Sequence, residues 1–222
     1  MRAFRRLAWH VAAVALIPLP ALSDVLNTGV DYEPKANDTY VQGDTGTCCV
    51  GEYHSLTIAY IGQSFVATGR VPYSLTLSLV NNQPGDVPPA NPQFRLLITE
   101  LGETGFQPGK ILWEAGPFAV AARLYTEYTY EIKGVQLEPG KRYAWILDTY
   151  SERDGAQDAM SFLTNNGYNV PVYTSGEAWF QSATGQGRAA DFAYSWTYYG
   201  HDISFLIRYR GNGPVSAPPN GP

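Results

Sequence analysis

Tyr73-Ser74-Leu75-Thr76-Leu77-Ser78-Leu79 decides the fold class of this chain. Apolar side chains fall at every second position and small hydroxyl side chains fill the gaps. A period of two means a β-strand with one face toward a core. The same rule recurs outward from it. Phe94, Leu96 and Ile98 alternate with Arg95 and Thr99, with Leu97 as the exception. Leu124, Tyr128, Tyr130 and Ile132 oppose Tyr125, Glu127, Glu131 and Lys133. Tyr143, Trp145 and Leu147 follow suit, blurred by Ile146, and Ile203, Phe205, Ile207 and Tyr209 oppose Ser204, Arg208 and Arg210. Turn signals separate these runs at Gln83-Pro84-Gly85, Gly102 to Gly105, Pro108-Gly109, Pro139-Gly140 and Asn165-Asn166-Gly167. No ten-residue helical pattern competes. Many short strands joined by Gly/Pro turns predict an all-β antiparallel two-sheet sandwich of the jelly-roll type.

Composition narrows the function classes. Among 222 residues, 15 are Lys or Arg and 20 are Asp or Glu, a net charge of −5. Without Arg2, Arg5 and Arg6 the balance moves to −8. Such a chain is no nucleic-acid binder, because that role needs clustered cations to neutralise phosphates. The first 23 residues read as a secretory signal. Those three arginines precede the apolar run Leu7 to Ile17, then Pro18 and Pro20, then the small-residue pattern Ala21-Leu22-Ser23. The run is too short to span roughly 30 Å of hydrocarbon, and no later segment is apolar enough. The expected organisation is a signal peptide at 1–23, an N-terminal strand and cysteine-containing region at 24–55, the sandwich at 56–210 and a Gly/Pro-rich tail at 211–222. The expected location is secreted or periplasmic, with no transmembrane anchor in the mature chain.

Cys48 and Cys49 are adjacent and are the only cysteines. Neighbouring Cα atoms lie about 3.8 Å apart, below the usual disulfide range of about 4.4–6.8 Å. Three states stay open: a strained vicinal disulfide, two free thiols, or bridges to another chain. The Gly/Thr-rich surroundings, Gly43 to Gly51, predict a loop.

The segments GQSFVATG (Gly62 to Gly69), TGFQPGKILWEAG (Thr104 to Gly116), LEPGKRYAWIL (Leu137 to Leu147), YTSGEAWF (Tyr173 to Phe180) and HDISFLIRY (His201 to Tyr209) together resemble a broad group of bacterial exported β-sandwich domains. These look like carbohydrate-binding-module jelly rolls and variable-anchor surface domains. The resemblance implies a non-catalytic fold that binds a glycan or another extracellular polymer. It also implies a structural calcium near strand ends, for which Asp31, Glu33, Asp148, Asp154, Asp158, Asp191 and Asp202 are the candidate oxygens. No EF-hand spacing supports calcium, and scattered acids are otherwise solvated surface. No other cofactor is called for.

The residues themselves point to 164–188 as the binding segment. A sugar ring offers an apolar C–H face and a rim of hydroxyls, so it is met by aromatic platforms beside amides or carboxylates. Tyr168, Tyr173 and Trp179 are the candidate platforms, and Asn166, Glu177 and Gln181 the candidate polar contacts. The competing reading turns these aromatics into the core. Phe192, Tyr194, Trp196 and Tyr198 form a second candidate, an aromatic row at spacing two on one strand face, expected to be buried; Tyr199 breaks its alternation. Catalysis has little support. His201 and Asp202 are expected on opposite faces of one strand, and no nucleophile or zinc motif is present. A glycosidase would need two carboxylates, for which Asp148 and Glu177 at strand ends are a candidate pair. The alternatives to a polymer binder are therefore a structural or interaction protein of the envelope or matrix, using a sheet edge or the cysteine pair, and a small secreted glycoside hydrolase.

Overall fold

A computed structural model describes residues 25–26, 35–41, 45–51, 58–82, 91–102, 105–153, 159–164, 175–183 and 186–211. The strands are β1 (Val25–Leu26), β2 (Thr39–Val41), β3 (Thr45–Gly51), β4 (Ile58–Val66), β5 (Pro72–Asn81), β6 (Gln93–Leu101), β7 (Pro108–Ala119), β8 (Thr126–Glu131), β9 (Arg142–Asp148), β10 (Ala159–Thr164), β11 (Ala178–Ser182), β12 (Thr197–Tyr198) and β13 (Phe205–Tyr209). A 3₁₀ turn, Tyr150–Glu152, and one short helix, α1 (Arg188–Ala193), complete the described elements. No helix among the described residues is long and apolar enough to cross a membrane.

The strands form two antiparallel sheets packed face to face, the all-β sandwich expected from the dyad pattern. Sheet A runs β1-β8-β5-β10-β3, and sheet B runs β12-β11-β4-β9-β6-β7. The second edge of β5 is shared end to end: β13 pairs with it through 72–77 and β10 through 79–81. Strand β2 then pairs with β13.

The core between the sheets follows the alternation, except that Leu124, which precedes β8, is 80% exposed. Leu75, Leu77 and Leu79 meet Phe94, Leu96, Ile98, Tyr143, Trp145 and Leu147, with Phe205 and Ile207 from the closing strand. Burial of such side chains stabilises by about 1.5–3 kcal/mol each. The alternate positions of β5 behave differently from expectation. Ser74, Thr76 and Ser78 are buried as well, because β5 is central and its small hydroxyl side chains sit below the height of their neighbours. Thr76 and Thr129 share a 2.9 Å hydrogen bond across the β5–β8 pair, which satisfies the hydroxyls there.

The two exceptions to alternation, Leu97 and Ile146, have a structural cause. Both lie on the outer face of sheet B in a second apolar layer with Tyr60, Phe106, Phe192 and Trp196. An apolar residue breaks the dyad rule where a sheet is covered on both sides.

Three expectations about local structure are corrected. Cys48 and Cys49 lie on a strand, not a loop. The register of β3 against β10 passes from Val50↔Met160 to Thr47↔Phe162, so the two cysteines share the bulge opposite Ser161. The run from Phe192 to Tyr198 is not one strand. Phe192 ends on α1, Trp196 is buried against Phe106, and only Thr197 and Tyr198 pair with β11. His201 and Asp202 precede β13 instead of lying in it, and Tyr199 is half-buried against Phe162 and Phe180.

Candidate functional site

Among the described residues, Trp179 and Tyr198 present aromatic surface on the outer face of sheet B. Trp179 and Tyr198 are register partners on β11 and β12, so their side chains stand together on one face. Their ring centroids are 5.3 Å apart at 61°. Beneath Trp179 lies Phe106, stacked at 5.9 Å and 19°. Phe106 in turn touches Trp196 at 4.9 Å. Trp196 is 7% exposed and Phe106 5%, so they are foundation, whereas Tyr198 is 54% exposed and Trp179 is half-buried.

Gly62 makes this layering possible. It is the register partner of Trp179 on β4. A Cβ at Gly62 would sit 3.0 Å from Phe106 Cζ and 2.7 Å from the Trp145 carbonyl oxygen. Only a residue without a side chain lets the Phe106 ring lie this close to the sheet.

Polar groups flank the aromatics. Glu177, two residues before Trp179, is exposed, and its backbone is held by Ser64. Ser64 Oγ accepts from the Glu177 N–H at 2.8 Å, and the Ser64 N–H donates to the Glu177 carbonyl at 2.9 Å. Arg142, also exposed, donates to the same Ser64 Oγ at 3.3 Å. Glu177 therefore stands two strand positions from Trp179, and the Arg142 guanidinium reaches toward it as far as Ser64, on well-anchored backbone.

Gln181 is closed off from this surface. It is buried, and its Nε2 donates to the carbonyls of Asp191 and Ser195 at 3.3 and 3.1 Å, while its Oε1 accepts from the Ser182 N–H. Its role is to tie the end of α1 to β11. Asn166, Tyr168 and Tyr173 lie outside the described residues. Of the six site residues expected from sequence, the structure brings Trp179 and Glu177 together and adds Tyr198, Phe106 and Arg142. The signal for Tyr198 was in the sequence as the second aromatic row; its exposure was not.

A separate charged network holds α1 onto sheet B. Arg188 Nε pairs with the fully buried Asp148 at 2.8 Å, and its terminal nitrogens reach Glu114 and Ser151 Oγ. Arg95 bridges Glu114 and Glu152. Burial pushes the Asp148 carboxyl up, opposed by Ser151 and Arg188. The hydrogen bond from Arg188 holds Glu114 below its ordinary value, helped by the guanidinium charges of Arg188 and Arg95. Asp191 accepts from Tyr60, and Asp202 accepts from Gln63 Nε2 at 2.8 Å. Each of these three aspartates is thus engaged by protein donors. No group of three His, Cys, Asp or Glu among the described residues is placed to hold a metal ion.

Asp148 and Glu177 are not a catalytic pair. Asp148 is the partner of Tyr60 on β4, whereas Glu177 lies against Ser64. Four residues along β4, about 13 Å, and two strand spacings across it, about 10 Å, separate their backbones, so the pair lacks the roughly 5–9.5 Å spacing that glycoside hydrolysis requires.

Comparison with protein families, with curated proteins and with solved structures finds no match to this chain.

Proposed function

We propose that this chain is an exported, non-catalytic sandwich that binds a glycan or another extracellular polymer on the outer face of sheet B. The observation that carries the reading is the Trp179–Tyr198 pair, held side by side on a rigid foundation and left partly open to water. An aromatic platform gains from an apolar sugar face without a large ordering cost, because the rings are already fixed. Glu177 and Arg142 supply an acceptor and a donor beside it for hydroxyl groups. The arginine-led apolar segment at the start of the chain supports export. The jelly-roll connectivity and the likeness to bacterial carbohydrate-binding modules remain part of this reading.

The test is retention on a panel of insoluble and immobilised polysaccharides. Trp179→Ala and Tyr198→Ala are expected to weaken retention about tenfold each, the order of one lost aromatic stacking contact. Tyr40→Ala, an exposed tyrosine on sheet A, is the control. Retention unchanged in both platform variants would reject the reading.

One observation favours a second reading, an envelope or matrix interaction protein. Strand β3 ends sheet A and carries Cys48 and Cys49 at its bulge. A sheet edge with adjacent cysteines suits association with another chain. Gels run with and without reductant decide it: a monomer in both removes the cysteine-linked form.

A further inference from the structure

A cleft of about 80 Å³ opens at the end of the sandwich where β4 turns into β5 and β13 ends. Among the described residues it is lined by Asn37, Thr68, Gly69, Arg70, Tyr209 and Arg210 with others, and by no aspartate or glutamate. This is unusual company in a chain with 20 acids and 15 Lys and Arg. The two arginines are neighbours across paired chain segments: the Arg210 N–H donates to the carbonyl of Val71, the residue after Arg70, at 2.8 Å. Neither guanidinium has a carboxylate partner among the described residues. Arg70 donates only to the neutral Gln136 Oε1 at 3.2 Å. Of the acids near by in sequence, Asp38 lies 3.8 Å from Arg208 and Glu138 lies 3.7 Å from Lys141.

The floor of the cleft is preorganised. A Cβ at Gly69 would lie 2.6 Å from Tyr209 Cβ, so the tyrosine packs directly on bare backbone. The Tyr209 hydroxyl lies 3.3 Å from Thr39 Oγ1, which lies 3.0 Å from Thr68 Oγ1. Thr68 Oγ1 donates to the Asn37 carbonyl at 2.7 Å.

We propose that this cleft binds one oxyanion group, the carboxylate of a uronic acid or a sulfate ester on a sugar, between Arg70 and Arg210. Guanidinium forks suit such groups through charge-assisted hydrogen bonds. The site stands on residues separate from the aromatic platform and goes beyond the glycan reading. Thr68 is six residues from Gly62, no more than about 20 Å along the chain, so a polymer could engage both.

Amide chemical shifts of the full chain, titrated with sodium glucuronate, glucose 6-sulfate and sodium sulfate at constant ionic strength, test it. Glucose is the neutral control. Saturable shifts are expected at Gly69, Arg70, Arg210 and Gly211 with the anions and none with glucose. Inorganic sulfate alone saturating the site would mean that the sugar clashes, and would overturn the sugar-borne form. Arg70→Gln and Arg210→Gln should each weaken binding about tenfold, as for one charge-assisted hydrogen bond. Both side chains are exposed, so their melting temperatures should match the parent. Absent shifts, or shifts undiminished in the double variant, overturn the proposal. Trp179→Ala should leave these shifts intact, so the failure of either site is read separately.

Discussion

Tyr60 donates its phenolic O–H to Asp191 Oδ2 at 2.8 Å, and both residues are fully buried. The bond fastens α1 to β4 across 131 positions of chain. Burial, and then acceptance by Asp191, push the Tyr60 hydroxyl far above its ordinary range, so the proton that makes the bond stays in place. The same ring packs against Phe192 at 5.3 Å and Trp196 at 6.2 Å. One side chain therefore anchors the helix and supports the aromatic layer under the proposed platform.

Tyr60→Phe keeps the ring and removes only the donor. A buried carboxylate then loses a hydrogen bond, at an expected cost of about 1–3 kcal/mol. Urea unfolding of the two proteins measures it. Equal midpoints would show that the other contacts of Asp191 suffice.

Gly62→Ala should destabilise by about 1–3 kcal/mol, since the new methyl meets the Trp145 carbonyl and the Phe106 ring at once. Gly102→Ala is the matched control, because there the nearest atoms are 3.4 Å away. A melt in which both variants fall equally would remove the close-approach argument. Gly62→Ala should also lower polymer retention, through displacement of Phe106 from beneath Trp179.

Arg188→Ala tests the charged network, and its effect depends on pH. At neutral pH it strands Asp148 without its cation, an expected loss of about 3 kcal/mol, at the low end because the guanidinium is partly exposed. The folded Glu114 carboxyl lies below its ordinary value, so its contribution is present above that value and is lost as the pH falls through the lowered one. Asp148 has the opposite sign: its raised carboxyl favours the folded state in acid, and that advantage fades as the pH rises. The gap between parent and Arg188→Ala should therefore narrow on acidification through the carboxylate range. Denaturant midpoints measured across pH check this, and a constant gap would rule the network out as the source.

Gln63→Leu removes a buried amide that donates to Asp202 and accepts from the Ile203 N–H at 3.0 Å. Two buried polar groups lose a partner, at about 1–3 kcal/mol each. Hydrogen exchange at Ile203 should accelerate more than at Leu75. Unaltered exchange there would show that Gln63 does not secure the entry to β13.

Alternation made the sandwich readable, because a period of two is a local property that burial of one face enforces. The Leu75 to Leu79 stripe, the Phe94 to Ile98 stripe and Trp145 all point inward as that rule requires. What it could not show is the second apolar layer. Leu97 and Ile146 looked like blemishes, yet they mark where Phe106 and the residues after α1 cover the sheet. Gln181 misled for a related reason: an amide suits a sugar and a backbone carbonyl equally well, and only the tertiary position of Asp191 and Ser195 decides between them. Tyr194, Trp196 and Tyr198 share one spacing and still divide into exposed, buried and exposed, because residues 194–196 leave α1 as irregular chain and only Thr197 and Tyr198 have the strand geometry the spacing assumed.

Strand β13 lies between β2 and β5, so positions 39–41 and 72–77 both wait for residues 205–209. Sheet A therefore cannot be completed until residues 205–209 are available to pair with both. A chain cut short before Phe205 leaves β5 with a bare, adhesive margin along 72–77.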